Sequence, residues 1–246
     1  ISGYSTIFLS SVDSTNNYAA RPEMQSKIQD KTVIMAANQS KGKGQHRNSW
    51  ESEVGKNLLI SIVIKPKDLP IEKQFFISFS TALALKETVS FFLSKNAKIK
   101  WPNDIYINTH KIAGILIENS ISSNKISRSI IGIGLNVNQI NFSIKNATSL
   151  KLIKKEDFVL KSVLEYLLYR FDYHYKNILE NGSKIQSLYN SNLMGKGEWI
   201  SFLTPKHEPF KAKVIGASTQ GKLRLELQNG AIQEFAHKEV FFDLGN

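Results

Sequence analysis

KIAGILIEN, residues 111–119, decides how this chain is built. After a single lysine, the run 112–117 is too apolar to lie on a surface, and its β-branched side chains suit a strand inside a sheet. Two further runs have the same character: residues 127–137, which contain IGIGLNVN (131–138), and NLLISIVI (57–64), closed off by Pro66 and Pro70. Shorter strands are expected at 7–9, 32–37, 98–101 and 104–107, the last two flanking the turn signal Pro102-Asn103. Asp13-Ser14-Thr15-Asn16 offers helix caps before a polar helix of about ten residues. Phe75, Phe79, Ala82, Leu83 and Val89 recur at helical spacing within 71–93. Residues 156–179 are expected to form the longest helix, with Gly182 as its C-terminal stop, and a short helix follows at 184–193. Beyond Gly195-Lys196-Gly197 the texture changes to four short strands, 199–203, 210–216, 222–227 and 231–236, with the hairpin signal Asn229-Gly230 before the last. The expectation is an α+β fold: a mixed β-sheet domain with helices over residues 1–195, then a small barrel-like module over 196–246.

Composition narrows the class. The 246 residues are 41% hydrophobic, enough for one large domain or a medium one plus a small one. Cysteine is absent, which excludes a disulfide framework and cysteine-ligated metal. No apolar run is read as approaching a membrane span, and the opening residues lack the regions of a signal peptide; a cytoplasmic protein is expected. The net charge of +11 permits binding to nucleic-acid phosphates. The lysines are scattered along the whole chain, however, so no specific nucleic-acid role is assigned.

Three stretches carry chemistry. NQSKGKGQHRNSW (38–50) threads Lys41, Lys43, His46 and Arg47 through two glycines and ends on an aromatic ring. Such a loop can cradle an anion with its backbone N–H groups, or be a plain surface turn. It lacks the Walker pattern and, with Arg47 at the third glycine position, the dinucleotide fingerprint. KWPNDIYIN (100–108) leads to Lys111, which is either a solvated strand end or a fixed charge in a partly dry pocket with Asn103 and Asp104 nearby. Gly132 and Gly134 mark either a close approach of ligand or backbone, or crowded packing.

Taken in order, DSTN (13–16), GKGQHRNSW (42–50), KWPND (100–104), KIAGIL (111–116) and GLNVN (134–138) resemble the biotin–protein ligase family, also called biotin–[acetyl-CoA-carboxylase] ligase. The resemblance spans essentially the whole chain, with 196–246 similar to the family's SH3-like module. It implies an enzyme that joins biotin and Mg-ATP into biotinyl-5′-AMP and passes biotin to a lysine of a biotin carboxyl carrier domain. It also implies site residues: Ser14, Thr15, Asn16, Gln39, Lys43 and Gly114 toward biotin; Lys43, Gln45, Arg47, Trp50 and Asn136 toward nucleotide; Asn103 and Asp104 in the same pocket; and Lys111 as the catalytic cation on the biotin carboxylate and α-phosphate. Trp50 would stack on adenine. No metal ligand is implied in the protein itself, and Mg²⁺ would come with ATP.

The family's loop often carries Arg where this chain has Gln45 and Gly where it has Arg47; either Arg47 takes up the phosphate-facing role, or it faces water and Lys43 with Lys111 suffices. Where some members place a basic residue reaching toward ATP, this chain has Phe241-Phe242-Asp243. Two other readings compete: a biotin-responsive DNA-binding repressor, disfavoured by the dozen or so residues before Asp13, and a lipoate or octanoyl transferase of related fold. A homodimer is expected only by analogy with the family.

Overall fold

The computed structural model describes residues 3–45, 48–176 and 178–244. Seven strands form one sheet: β1 (Ser5–Leu9), β2 (Thr32–Ala36), β3 (Leu58–Ile64), β4 (Lys98–Lys100), β5 (Asp104–Ile107), β6 (His110–Ser122) and β7 (Lys125–Leu135), in the spatial order β1-β2-β3-β7-β6-β5-β4. The β1–β2 pair is parallel and the other neighbours are antiparallel, so the sheet is mixed. Every residue of β3 is buried, as expected of a central strand covered on both faces. The long β6–β7 hairpin turns at Ser123 and Asn124, both at positive φ (49° and 59°), which matches the right-handed twist of the strands it joins.

One face of the sheet is covered by α2 (Phe75–Leu93), which in turn packs against α4 (Leu160–Tyr175) and α5 (Gly182–Ser191). With sheet on one side and helices on the other, α2 is apolar nearly all round. Residues Ile71–Leu93 are therefore long and apolar enough to cross a membrane, contrary to the sequence reading, yet most of the segment is buried inside the protein. Glu87 of α2 accepts a hydrogen bond from Arg170 Nε of α4 at 2.7 Å and lies 2.8 Å from His174 Nε2. Burial pushes the Glu87 carboxyl pKa up, but the bonds from His174 and Arg170 outweigh it and hold the group below the usual glutamate value.

Several expectations are corrected. Helix α1 (Thr15–Ala20) has six residues rather than about ten, and a 3₁₀ turn at Pro22–Met24 follows it. The longest helix is α2, with 19 residues against 16 for α4. Gly182 does not stop α4. It opens α5, where a Cβ would sit 2.3 Å from the Phe76 ring, so glycine lets α5 approach α2. The short helix α3 (Leu150–Lys154), capped by Ser149 Oγ accepting from Leu152 N, was not foreseen.

Five more strands, β8 (Trp199–Leu203), β9 (Pro209–Ala217), β10 (Leu223–Leu227), β11 (Ile232–Phe235) and β12 (Phe241–Phe242), form an antiparallel sheet in the order β11-β10-β9-β8-β12. The Asn229-Gly230 turn is closed by Leu227 N donating to Ala231 O, with Gly230 at φ 82°. Trp101 Nε1 donates to Gly221 O at 2.9 Å, tying this sheet to the β4–β5 turn of the first, and Gln186 Nε2 donates to Ala217 O at 2.8 Å, tying it to α5. The two share one apolar core.

Candidate active site

The register of the large sheet sets out the site. One rung reads Lys100–Asp104–Gly114–Gly134–Leu59 across β4, β5, β6, β7 and β3. Two residues further along, on the same face, a second rung reads Leu116–Gly132–Ser61 across β6, β7 and β3. Glycines at 114, 134 and 132 strip this face of side chains and leave a hollow. It is a cavity of about 290 Å³ that opens between the sheet, the 42–50 loop and the second sheet.

The first rung receives Trp50. A Cβ at Gly134 would lie 2.4 Å from Trp50 Cε2, and one at Gly114 3.0 Å from Cζ3. The loop before it folds back on itself: Trp50 N donates to Gly42 O, Gly44 N donates to Asn48 O, and a Cβ at Gly42 would meet Trp50 O at 2.5 Å. Lys111 Nζ stands 5.5 Å from the Trp50 ring centroid and 2.7 Å from Asp104 Oδ1. Trp50 Nε1 is buried without a hydrogen-bond partner among the described residues. Asn103 fastens the turn before Asp104: its Nδ2 donates to Ile115 O, and its O accepts from Ile115 N.

The second rung receives the start of α1. A Cβ at Gly132 would lie 2.5 Å from Asn16 Oδ1. Ser61 Oγ is 2.6 Å from that atom and 2.7 Å from Thr15 Oγ1. Asn16 Nδ2 donates to Glu118 Oε2 at 2.7 Å, and Gln39 Oε1 accepts from Thr15 N at 2.7 Å. Ser14, Thr15 and Asn16 are buried, yet all three, with Gln39, line the cavity. The Ser14 hydroxyl makes no helix-cap hydrogen bond. This end thus offers hydroxyl and carboxamide groups that both donate and accept, on a buried floor.

Of the residues singled out in the sequence, Ser14, Thr15, Asn16, Gln39, Lys43, Gln45, Trp50, Asn103, Asp104, Lys111 and Gly114 line one cavity. Asn136 does not. It is buried, its Nδ2 donating to Thr148 O at 3.0 Å and its Oδ1 without a partner among the described residues. Arg47 lies outside the described residues, so its expected phosphate-facing role has no geometry here. Several contributors were missed. Ser61 was signalled by being the one hydroxyl inside NLLISIVI. Lys100 was quoted in its motif and given no role. Phe241 and Phe242, with Val240 and His237, bring the second sheet into the cavity wall, a long-range contact with no local signature.

A sequence profile described as the Biotin/lipoate A/B protein ligase family matches residues 8–136, which hold both rungs of the large sheet. The chain belongs to that family. Among similar members, the bifunctional ligase/repressor BirA of Bacillus spizizenii is 31% identical over 205 residues, covering 81% of this chain and 62% of the Bacillus protein. The biotin–[acetyl-CoA-carboxylase] ligase of Mycobacterium tuberculosis is 29% identical, over 49% of this chain and 45% of its own length. The chain thus spans less than two thirds of these relatives. Among solved structures, the biotin protein ligase of Aquifex aeolicus in complex with biotin and ATP superimposes with a TM-score of 0.78 at 27% identity, covering 96% of this chain and 97% of that one.

Among the described residues, no three His, Cys, Asp or Glu side chains gather to hold a metal. Asp104 is the acidic residue of the cavity lining, and Lys111 occupies it.

Proposed function

We propose that the chain is an ATP-dependent biotin–protein ligase. In the first step a biotin carboxylate oxygen attacks the α-phosphorus of ATP, the bond to the β-phosphate oxygen breaks, and pyrophosphate leaves with the electron pair. In the second, a lysine amine of a biotin carboxyl carrier domain attacks the acyl carbon and AMP departs.

The observation that carries this reading is the two-rung cavity, polar and hydroxyl-rich at one end and cationic and aromatic at the other. A cyclic urea needs acceptors for its N–H groups and donors for its carbonyl, which Ser14, Thr15 and Gln39 offer. The dithiolane ring of lipoate has no such groups and would leave them unpaired, at a cost; this favours biotin over lipoate or octanoate. Lys111, fixed by Asp104, supplies positive charge where two anionic reactants must meet. Trp50 offers a face to adenine. Lys43 and Gln45 line the same cavity from the loop and would face the phosphates.

Residues 1–195 act as the catalytic unit and 196–246 as an SH3-like module that completes the wall. Magnesium arrives with the nucleotide. The partner is a carboxylase carrier domain, with homodimerisation by analogy to the family, in the cytoplasm where ATP is available. The test is biotin-dependent pyrophosphate release with ATP and Mg²⁺, followed by label transfer to a carrier domain, with lipoate in parallel. Release driven by lipoate and not by biotin would overturn the reading.

A further inference from the structure

Three lysines line the cavity among the described residues: Lys43, Lys100 and Lys111. They differ in their surroundings. Lys43 is exposed on the loop, and Lys111 is paired with Asp104. Lys100 is partly buried at the far end of the first rung, directly opposite Asp104 in the ladder, yet that carboxylate's Oδ1 is taken by Lys111. Its Nζ has no carboxylate within ion-pair distance among the described residues. It stands instead between two rings, 5.2 Å from the Tyr106 centroid and 5.6 Å from that of Phe242. Burial pushes its pKa below the ordinary lysine value; Asp104 opposes that shift, and Lys111 adds to it.

A lysine without a carboxylate, held in a cavity beside a second lysine, is costly unless something anionic completes it. The adenylating reaction supplies such a group. Lys111 and Trp50 mark where the α-phosphate and base belong, so the β- and γ-phosphates must extend away from the biotin end. The loop position that would reach them holds the neutral Gln45. Lys100 lies in the wall on the other side of Asp104 from the glycine floor, where Phe242 brings an apolar ring and no charge.

We propose that Lys100 binds the pyrophosphate end of ATP, stabilising the leaving group as the bond to the α-phosphate breaks. The Phe242 ring of the second sheet fixes the ammonium's direction, so the module contributes by aiming a cation of the first sheet rather than by supplying its own. This rests on the ATP-dependent reading above.

The experiment compares the parent with Lys100→Met by calorimetry, using inorganic pyrophosphate, AMP and biotin as separate probes, and by biotin-dependent pyrophosphate exchange. Loss of one charge-assisted contact should weaken pyrophosphate binding roughly ten- to a hundredfold, raise the KM for ATP similarly, and leave AMP and biotin affinity near the parent's. Lys100→Arg should recover most of the loss, and Lys100→Gln repeats the test should the methionine variant not fold. Unchanged pyrophosphate affinity, or an equal loss for AMP and biotin, would overturn the assignment. A parent that shows Lys100-dependent pyrophosphate binding but no biotin-dependent exchange would overturn the ligase reading and leave the role of Lys100 standing.

Discussion

Lys111 Nζ lies 2.7 Å from Asp104 Oδ1 although the two residues are not opposite one another in the sheet: Asp104 faces Gly114, and Lys111 faces Tyr106. The β5–β6 ladder shifts register between these pairs. The lysine therefore leans along its strand toward the glycine floor and meets the aspartate over it, beneath the Trp50 ring. Lys111→Ala should retain the fold and lose about 3 kcal/mol of transition-state stabilisation, read as a fall in biotin-dependent pyrophosphate exchange. Asp104→Asn leaves the charge but removes its anchor, and should cost less than the alanine change. Parent-like exchange in a folded Lys111→Ala variant would contradict this role.

Trp50 covers Gly134 and Gly114 rather than the α1 end of the cavity. Trp50→Ala should weaken ATP binding by about 1–3 kcal/mol and biotin binding much less. Calorimetry with each ligand alone decides it; equal losses would make the ring a general support of the pocket.

The two glycines of β7 make a paired test. In Gly134→Ala the new methyl would sit 2.4 Å from Trp50 Cε2, and in Gly132→Ala 2.5 Å from Asn16 Oδ1. Each overpacks by about 1–3 kcal/mol, but on different residues. The first should damage nucleotide binding and the second biotin binding. Identical profiles would show that the two rungs do not act separately.

Ser61 is fully buried and touches both Thr15 and Asn16. Ser61→Ala strips a hydrogen-bond partner from two buried polar side chains, at a cost of about 1–3 kcal/mol in stability. Biotin affinity should fall with it, while the affinity for AMP stays put.

Glu87 links α2 to α4 through Arg170 and His174, and its folded pKa is held below the ordinary value of 4.5. A depressed acid contributes stability that is present above its unfolded pKa and is lost as pH falls through the folded one. The parent should therefore lose stability in acid below about pH 4.5, and Glu87→Gln should flatten that limb. Chemical denaturation at pH 7 and at pH 4 measures the difference; equal slopes in parent and variant would remove Glu87 from the account.

The large sheet was legible because its strands are apolar runs bounded by turn residues, and most of the cavity lining was legible because short motifs carry it. What failed was whatever depends on neighbours distant in sequence. Helix α2 reads as amphipathic from Phe75, Phe79 and Val89, but a helix between a sheet and two other helices has no wet face to reveal itself. Gly182 looks like a terminator until Phe76 is seen against it. Ser61 and Lys100 acquire meaning only from the ladder that sets them beside Gly132 and Asp104. Phe242 lies in the last strand of the second sheet, far along the chain from the Lys100 ammonium that it faces.

That last contact bears on how the protein is made. A chain emerges from the ribosome N-terminus first, and its units fold as they appear. The glycine floor, Trp50 and the Lys111–Asp104 pair are all present once β7 has formed, but the wall of Val240, Phe241 and Phe242 is translated last of the cavity's parts. A nascent chain that has reached β7 thus carries the glycine floor and the Lys111–Asp104 pair without their second wall. The cavity has its full lining only when synthesis has passed Phe242.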